Sequence, residues 1–278
     1  MELQITTLIE NHGDDNGELL FEHGLSLYIE TYGKKILFDT GQSGDFLKNA
    51  KVLGKDLNTL DYCILSHGHY DHTGGLKLFV SEIRKLPKLI IGKEFFKPKY
   101  KTIGINKYKF NGNSFREPFI QNLPTDMIKV SEDMVSLSDH IFVFHNFRNH
   151  NDFEQRNPKF FVKTDEGYLP DDFIDEISLG IITKKGLVVV VGCSHVGIVN
   201  IIKTIIERTQ MPIYAVVGGT HMVDADEERI KKTIETFQEM KIQMVAVSHC
   251  TGEKEILKIQ EIMKEQFVHN NTGHVIQI

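Results

Sequence analysis

The run Ser66-His67-Gly68-His69-Tyr70-Asp71-His72 constrains this chain more than any other. It sets three imidazoles and one carboxylate within residues 67–72. Neutral imidazole nitrogen and carboxylate oxygen are ligands that zinc, iron(II) and manganese accept. Before the run, Tyr62-Cys63-Ile64-Leu65 has the length and apolarity of a short buried strand. After it, Thr73-Gly74-Gly75 precedes an apolar-periodic run. The four groups therefore sit on a tight loop at a strand's carboxyl end. His67 and His69 are placed there to grip one metal, with Asp71 and His72 on the other side of the loop for a second. A single histidine on such a loop would read as solvated surface; this spacing does not.

Three more apolar runs end in histidine. They are Leu187 to Val191 followed by Gly192-Cys193-Ser194-His195, Ile213 to Val217 followed by Gly218-Gly219-Thr220-His221, and Met244 to Val247 followed by Ser248-His249. Strands that all finish in a ligand side chain bring those side chains to one sheet edge. Open α/β sheets bind their ligands at that edge.

These residues carry a resemblance. The chain resembles the metallo-β-lactamase superfamily, whose signature is His-x-His-x-Asp-His. It is most similar to the branch named after an archaeal dihydropterin/ribofuranosylaminobenzene 5′-phosphate synthase. Glu22-His23-Gly24-Leu25-Ser26, Leu37-Phe38-Asp39-Thr40-Gly41, Gly74-Gly75-Leu76, Gly192-Cys193-Ser194-His195 and Ser248-His249-Cys250-Thr251-Gly252 are shared with it. The resemblance runs from the amino terminus to about the last helix, leaving out roughly 95–170. It implies an α/β fold, a four-layer αββα sandwich. It also implies one or two divalent transition-metal ions, zinc first, with iron or manganese as alternatives. His67, His69, Asp71, His72, His195 and His249 form the implied ligand set. By resemblance, His67 and His69 share one ion, and Asp71, His72 and His249 hold the other. Superfamily hydrolases usually add a metal-bridging aspartate after a glycine at a strand end. Here Gly192 is followed by Cys193, so a bridging carboxylate is not evident.

Two ions held close together would activate a water and polarise a carbonyl or phosphoryl oxygen. The expected function is therefore a metal-dependent hydrolase of a small phosphoester or ester. Its substrate would be a small molecule, phosphorylated or pterin-like. A pterin-linked synthase and a non-catalytic metal-binding protein are the competing readings, since fold resemblance does not fix reaction. His221 and Asp71 are the candidates for catalytic roles. For His221 a ligand, a proton donor, a substrate contact and a buried histidine bonded to a backbone carbonyl all stay open. Asp39 is expected to support the ligand loop as an acceptor rather than bind metal. His23 and Glu22 could line the pocket, though Glu22 reads rather as a solvated turn residue. His140, His145, His150, His269 and His274 lack the strand-end setting and are expected on the surface or the cap.

Length and composition narrow the remaining classes. At 278 residues the chain fits one domain, with an inserted cap over about 95–170. That stretch is aromatic, basic and loop-rich, and too long to be a structureless loop. Its run Phe95-Phe96-Lys97-Pro98-Lys99-Tyr100-Lys101 reads as a solvated face, with contact to an anionic or aromatic substrate as the alternative. A net charge of −6 without a basic block does not favour nucleic acid. No apolar stretch approaches a membrane span, and the start Met1-Glu2-Leu3-Gln4-Ile5 lacks signal-peptide character, so a cytoplasmic location is expected. The three cysteines suggest no disulfide framework. Cys63 reads as buried filler. Cys193 reads equally as a metal ligand, a group behind the ligands or a filler.

Overall fold

In the computed structural model, which describes residues 2–278, Val188 to Val191 are all buried. A strand buried at every position needs cover on both faces, and this requirement organises the molecule. The first part of the chain supplies β1 (Leu3–Ile9), β2 (Ser26–Thr31), β3 (Lys34–Phe38), α1 (Asp45–Val52) and β4 (Tyr62–Leu65). Next come α2 (Tyr70–Thr73), α3 (Leu76–Glu82) and β5 (Lys88–Gly92). The middle holds β6 (Lys99–Gly104), β7 (Lys107–Phe110), α4 (Glu117–Gln121), β8 (Met127–Val130), β9 (Met134–Ser138), β10 (Ile141–Phe144), β11 (Phe160–Thr164) and β12 (Gly167–Pro170). The last part adds β13 (Ser178–Thr183), β14 (Gly186–Val191), α5 (Ile198–Thr209) and β15 (Ile213–Gly218). It closes with α6 (Glu227–Glu239), β16 (Met244–Val247), α7 (Glu253–Met263) and β17 (Val275–Gln277).

Two sheets form the centre, with strand orders β17-β1-β2-β3-β4-β5-β8 and β16-β15-β14-β13-β10-β9. Alternate residues decide which side each strand serves. Phe38, Ile64 and Ile90 of the first sheet pack against Leu179, Val188, Val190 and Val217 of the second. On the first sheet's other face, Leu37, Cys63 and Leu65 meet Phe46 of α1 and Leu76 and Phe79 of α3. On the second sheet's other face, Val189 and Val191 meet Ile201 and Ile205 of α5, Phe237 of α6 and Ile259 of α7. The result is the four-layer αββα sandwich. Each fully buried aliphatic or phenyl side chain contributes about 1.5–3 kcal/mol relative to exposure. Cys63 is buried filler in this core. Among the described residues, no helix is long and apolar enough to cross a membrane.

The first helix begins at Asp45; Gly41 lies outside it, because its φ of 61° is far from the helical value near −60°. Asp226 caps α6, accepting from the Arg229 N–H at 2.8 Å. Such a cap is worth about 1 kcal/mol.

The stretch 95–170 is divided among three sheets. β8 extends the first sheet and β9 and β10 the second. Only β6, β7, β11 and β12 form a separate sheet, ordered β12-β11-β6-β7. Ile141, Val143 and Phe144 explain part of the division: they are fully buried against the core, as a detached cap would not allow.

Strand direction positions the site. β3, β4, β5 and β8 run parallel, as do β14, β15 and β16. The loops after β4, β14, β15 and β16, which carry the histidines, therefore leave from matching ends. Gly192 allows the sheets to close there: a Cβ on it would stand 2.1 Å from the Ser66 hydroxyl oxygen.

Candidate metal centre

The loop after β4 is held by Asp39, which sits at the end of β3 with φ of 62°. Its Oδ1 accepts the Ser66 N–H and its Oδ2 the Ser66 hydroxyl, both at 2.7 Å. Oδ2 also accepts His72 Nδ1–H at 2.7 Å. His67 Nδ1 lies 3.0 Å from Ser66 Oγ. Since that hydroxyl donates to Asp39, it accepts from His67. Both rings thus spend their Nδ1 protons outward and turn Nε2 inward. Asp39 is a buried acceptor behind the ligands, in the place expected for it.

His67 Nε2 lies 3.0 Å from His69 Nδ1, which lies 3.1 Å from His195 Nε2. Around the other side, His72 Nε2 is 3.1 Å from His249 Nε2, and Asp71 Oδ2 is 3.3 Å from His249 Nε2. His249 Nδ1 points away, 2.9 Å from Asn11 Oδ1. Two donor sets result: His67, His69 and His195, and Asp71, His72 and His249. Nitrogens held about 2.0–2.1 Å from one tetrahedral zinc stand roughly 3.3 Å apart. Donor atoms converging this closely, with the outer nitrogens of His67, His72 and His249 committed to Ser66, Asp39 and Asn11, fit divalent ions. The pairing of His67 with His69, and of Asp71 with His72 and His249, is the grouping the resemblance implies. His195, unassigned by sequence, falls with the first pair.

Electrostatics agree with the first set. Burial, with neighbouring charges adding to it, holds His67, His69 and His195 well below the usual imidazole range. They are neutral, the form that binds metal. Burial also takes His249 down to about 4. His72 differs. Burial is the largest influence and pushes it down, but Asp39 and Asp71 outweigh it and lift it to about 9. A divalent ion at the second set would displace that proton. Burial raises the Asp71 carboxyl, and His72, His23 and His249 together bring it well below the usual range.

Behind these groups lie supports that the sequence reading did not single out. Asp175 Oδ2 accepts the Gly68 N–H at 2.7 Å, and its Oδ1 lies 2.8 Å from Lys99 Nζ. Lys99 also pairs with Asp171 at 2.7 Å, and all three are buried. The run 95–101 is thus not one solvated face, because Lys99 ties the separate sheet of β6, β7, β11 and β12 to the histidine loop. Glu10 accepts from the His249 N–H at 3.3 Å. Phe173 stacks on the His195 ring at 4.0 Å. The neighbouring acids Asp175 and Glu176, just before β13, were the one local signal; nothing local marks their partners.

Glu176 accepts the N–H groups of His195 and Val196 at 2.8 and 2.9 Å. Burial nevertheless raises its pKa from the ordinary 4.5 to about 7. Between those values the folded chain holds a proton that the unfolded chain has lost, so this group's contribution to stability falls as pH rises from about 4.5 to 7. The change amounts to roughly 3 kcal/mol. Glu176→Gln cannot ionise and should lose this part of the slope. Urea midpoints measured across that window check it, and equal slopes in both proteins would rule Glu176 out.

His221 ends β15 with φ of 46° and is buried beside His195, ring centroids 4.3 Å apart. Burial, then Arg229, takes it down to about 4. It stands with the donor sets but completes neither. His23 Nε2 lies 3.2 Å from Asp71 Oδ2 at the mouth. Glu22 is not a solvated turn residue: its carboxylate accepts the Gln42 and Ser43 N–H groups, both at 2.9 Å. His145 is buried with Nε2 against the Ile174 carbonyl, not on the surface or cap.

The donor sets open into a cleft of about 600 Å³, whose walls include Tyr70, Lys101, Asn111, Phe160, His221 and Asp224. A groove of similar volume beside α1 and α3 lies away from the histidines. Only the first cleft offers convergent polar groups.

Known proteins resemble this chain in sequence and fold. A model of the metallo-beta-lactamase superfamily matches residues 20–195. A protein of Methanocaldococcus jannaschii named 7,8-dihydropterin-6-methyl-4-(beta-D-ribofuranosyl)-aminobenzene-5'-phosphate synthase is 34% identical over 99% of this chain and 96% of its own. The crystal structure of Tm1679, described as a metal-dependent hydrolase of the beta-lactamase superfamily, matches with a TM-score of 0.86 and 30% identity, covering 100% of this chain and 99% of that one. Human tRNase Z, short form, shares the fold at a TM-score of 0.55 and 12% identity, with 99% of each chain covered.

Proposed function

The chain belongs to the metallo-β-lactamase superfamily, and on that premise we propose that it is a metal-dependent hydrolase of a small phosphoester or ester. One observation carries the reading: His69 and His195 of one donor set, and Asp71 and His249 of the other, line a single cleft. We assign His67, His69 and His195 to one divalent ion and Asp71, His72 and His249 to a second, zinc being the first choice. Ions so held would lower the pKa of a water toward neutrality and polarise the attacked oxygen.

The chain's own residues do the rest. Asp39, Ser66 and Asn11 orient the ligand rings. His221, on the cleft wall and neutral at its lowered pKa, offers its ring N–H as a hydrogen bond to the leaving oxygen. Asp71 passes a proton outward through His23, which is half exposed at the mouth. Lys101, from the cap sheet, lies over the Phe160 ring at 5.4 Å. That pair suits an anionic group next to a flat ring, so the cap sheet selects a phosphorylated aromatic substrate.

The M. jannaschii relative favours a second reading, a synthase acting on a pterin-type substrate. The test is to incubate the zinc-loaded protein with aryl phosphoesters and carboxylate esters. A parallel incubation uses a reduced pterin with a ribofuranosyl aminobenzene phosphate. Hydrolysis is expected in the first. A joined product without hydrolysis would transfer the assignment to the synthase reading. Silence in both, with full metal content, would leave a metal-binding protein.

A further inference from the structure

Cys193 stands between the two donor sets. Its Sγ is 3.0 Å from His72 Nε2. It groups with His67 and His72, and separately with His249, with all donor atoms in each group within 4.8 Å. One sulfur therefore reaches a nitrogen of the first set and two of the second. We propose that Cys193 is a metal ligand, its thiolate shared between the two ions; the proposal rests on the metal assignment above.

The local fold aims this side chain. Val191 ends β14, Gly192 packs on the Ser66 hydroxyl, and Ser194 takes φ of 60°. Ser194 Oγ donates to the Gly219 carbonyl at 2.8 Å and locks the turn. A non-glycine residue held at positive φ beside a candidate site is strain kept by its surroundings. Cys250 is the alternative sulfur, since it too groups with His249. It is already engaged, its thiol donating to the Cys193 carbonyl at 3.5 Å while accepting the His221 N–H at 3.3 Å.

A thiolate ligand changes the metal preference. Sulfur favours zinc and iron, whereas an all-oxygen and nitrogen set also suits manganese. On metal binding the sulfur loses its proton to solvent and bonds as thiolate. The site should accordingly take zinc or cobalt in preference to manganese.

The test loads metal-free, full-length protein with cobalt(II) and follows absorption and bound cobalt together. Two equivalents are expected, with a thiolate-to-cobalt charge-transfer band in the near ultraviolet. Cys193→Ser should lose that band and bind at least one equivalent more weakly, by about tenfold or more. Cys193→Asp should recover both equivalents without the band, and Cys250→Ser should keep it. X-ray absorption of the zinc form should show sulfur scattering, a reading independent of how any variant folds. Cobalt bound in two equivalents without a charge-transfer band, or with a band that survives Cys193→Ser, would overturn the proposal while sparing the metal assignment. Failure of the wild-type protein to take up metal would overturn both.

Discussion

The double variant His67→Ala/His69→Ala is expected to lose one metal ion per chain. The two substitutions remove two of the three nitrogens that converge at 3.0 and 3.1 Å. The His195 imidazole left behind competes poorly with water for a divalent ion. Asp39 keeps its bonds to Ser66 and His72. The packed sheets and helices lie behind the loop, so the core does not depend on the ion. The fold should survive, seen as an unchanged circular dichroism spectrum. His67→Gln/His69→Gln preserves more volume and guards against loss through packing alone. Turnover should fall to the level of a control without enzyme. Elemental analysis decides the matter, and full metal retention in the double variant would place the ligands elsewhere.

His221→Ala should lower turnover by roughly 10²–10³-fold, the usual size of one lost hydrogen-bond donor to a developing oxyanion. Metal content should stay the same, because His221 belongs to neither donor set. The diagnostic is the leaving group. A nitrophenolate departs without protonation and should be slowed far less than an alkoxide. If the variant sheds an ion, His221 is a ligand. If it keeps metal and turnover for every leaving group, it is only a buried histidine packed on Phe160 and His195.

Local pattern foretold most of the framework. Apolar runs marked β4, β14, β15 and β16. These signals are legible because a strand or helix announces its buried face within a few residues. The histidine loop was legible for the same reason: its ligand types are neighbours in sequence. The middle stretch was not. β8 and β10 look like short loop-bound strands, and their membership of different sheets depends on partners more than 30 residues away.

The sequence alone determined the fold class, the strand-end placement of His67, His69, His195, His221 and His249, and the role of Asp39 as an acceptor. Only the tertiary structure decided which donor set His195 joins and how closely the others meet. His195 reaches His69 across 126 positions and His249 reaches His72 across 177. It also decided that Cys193 lies between the sets, that Glu10 supports His249 across 239 positions, and that Lys99 is buried against Asp175. The physical reason is the range of the forces involved. Periodic burial and backbone geometry act within an element, so they are written locally. Metal donors, their acceptors and buried charges must meet at ångström distances, and those distances exist only once the two sheets have packed.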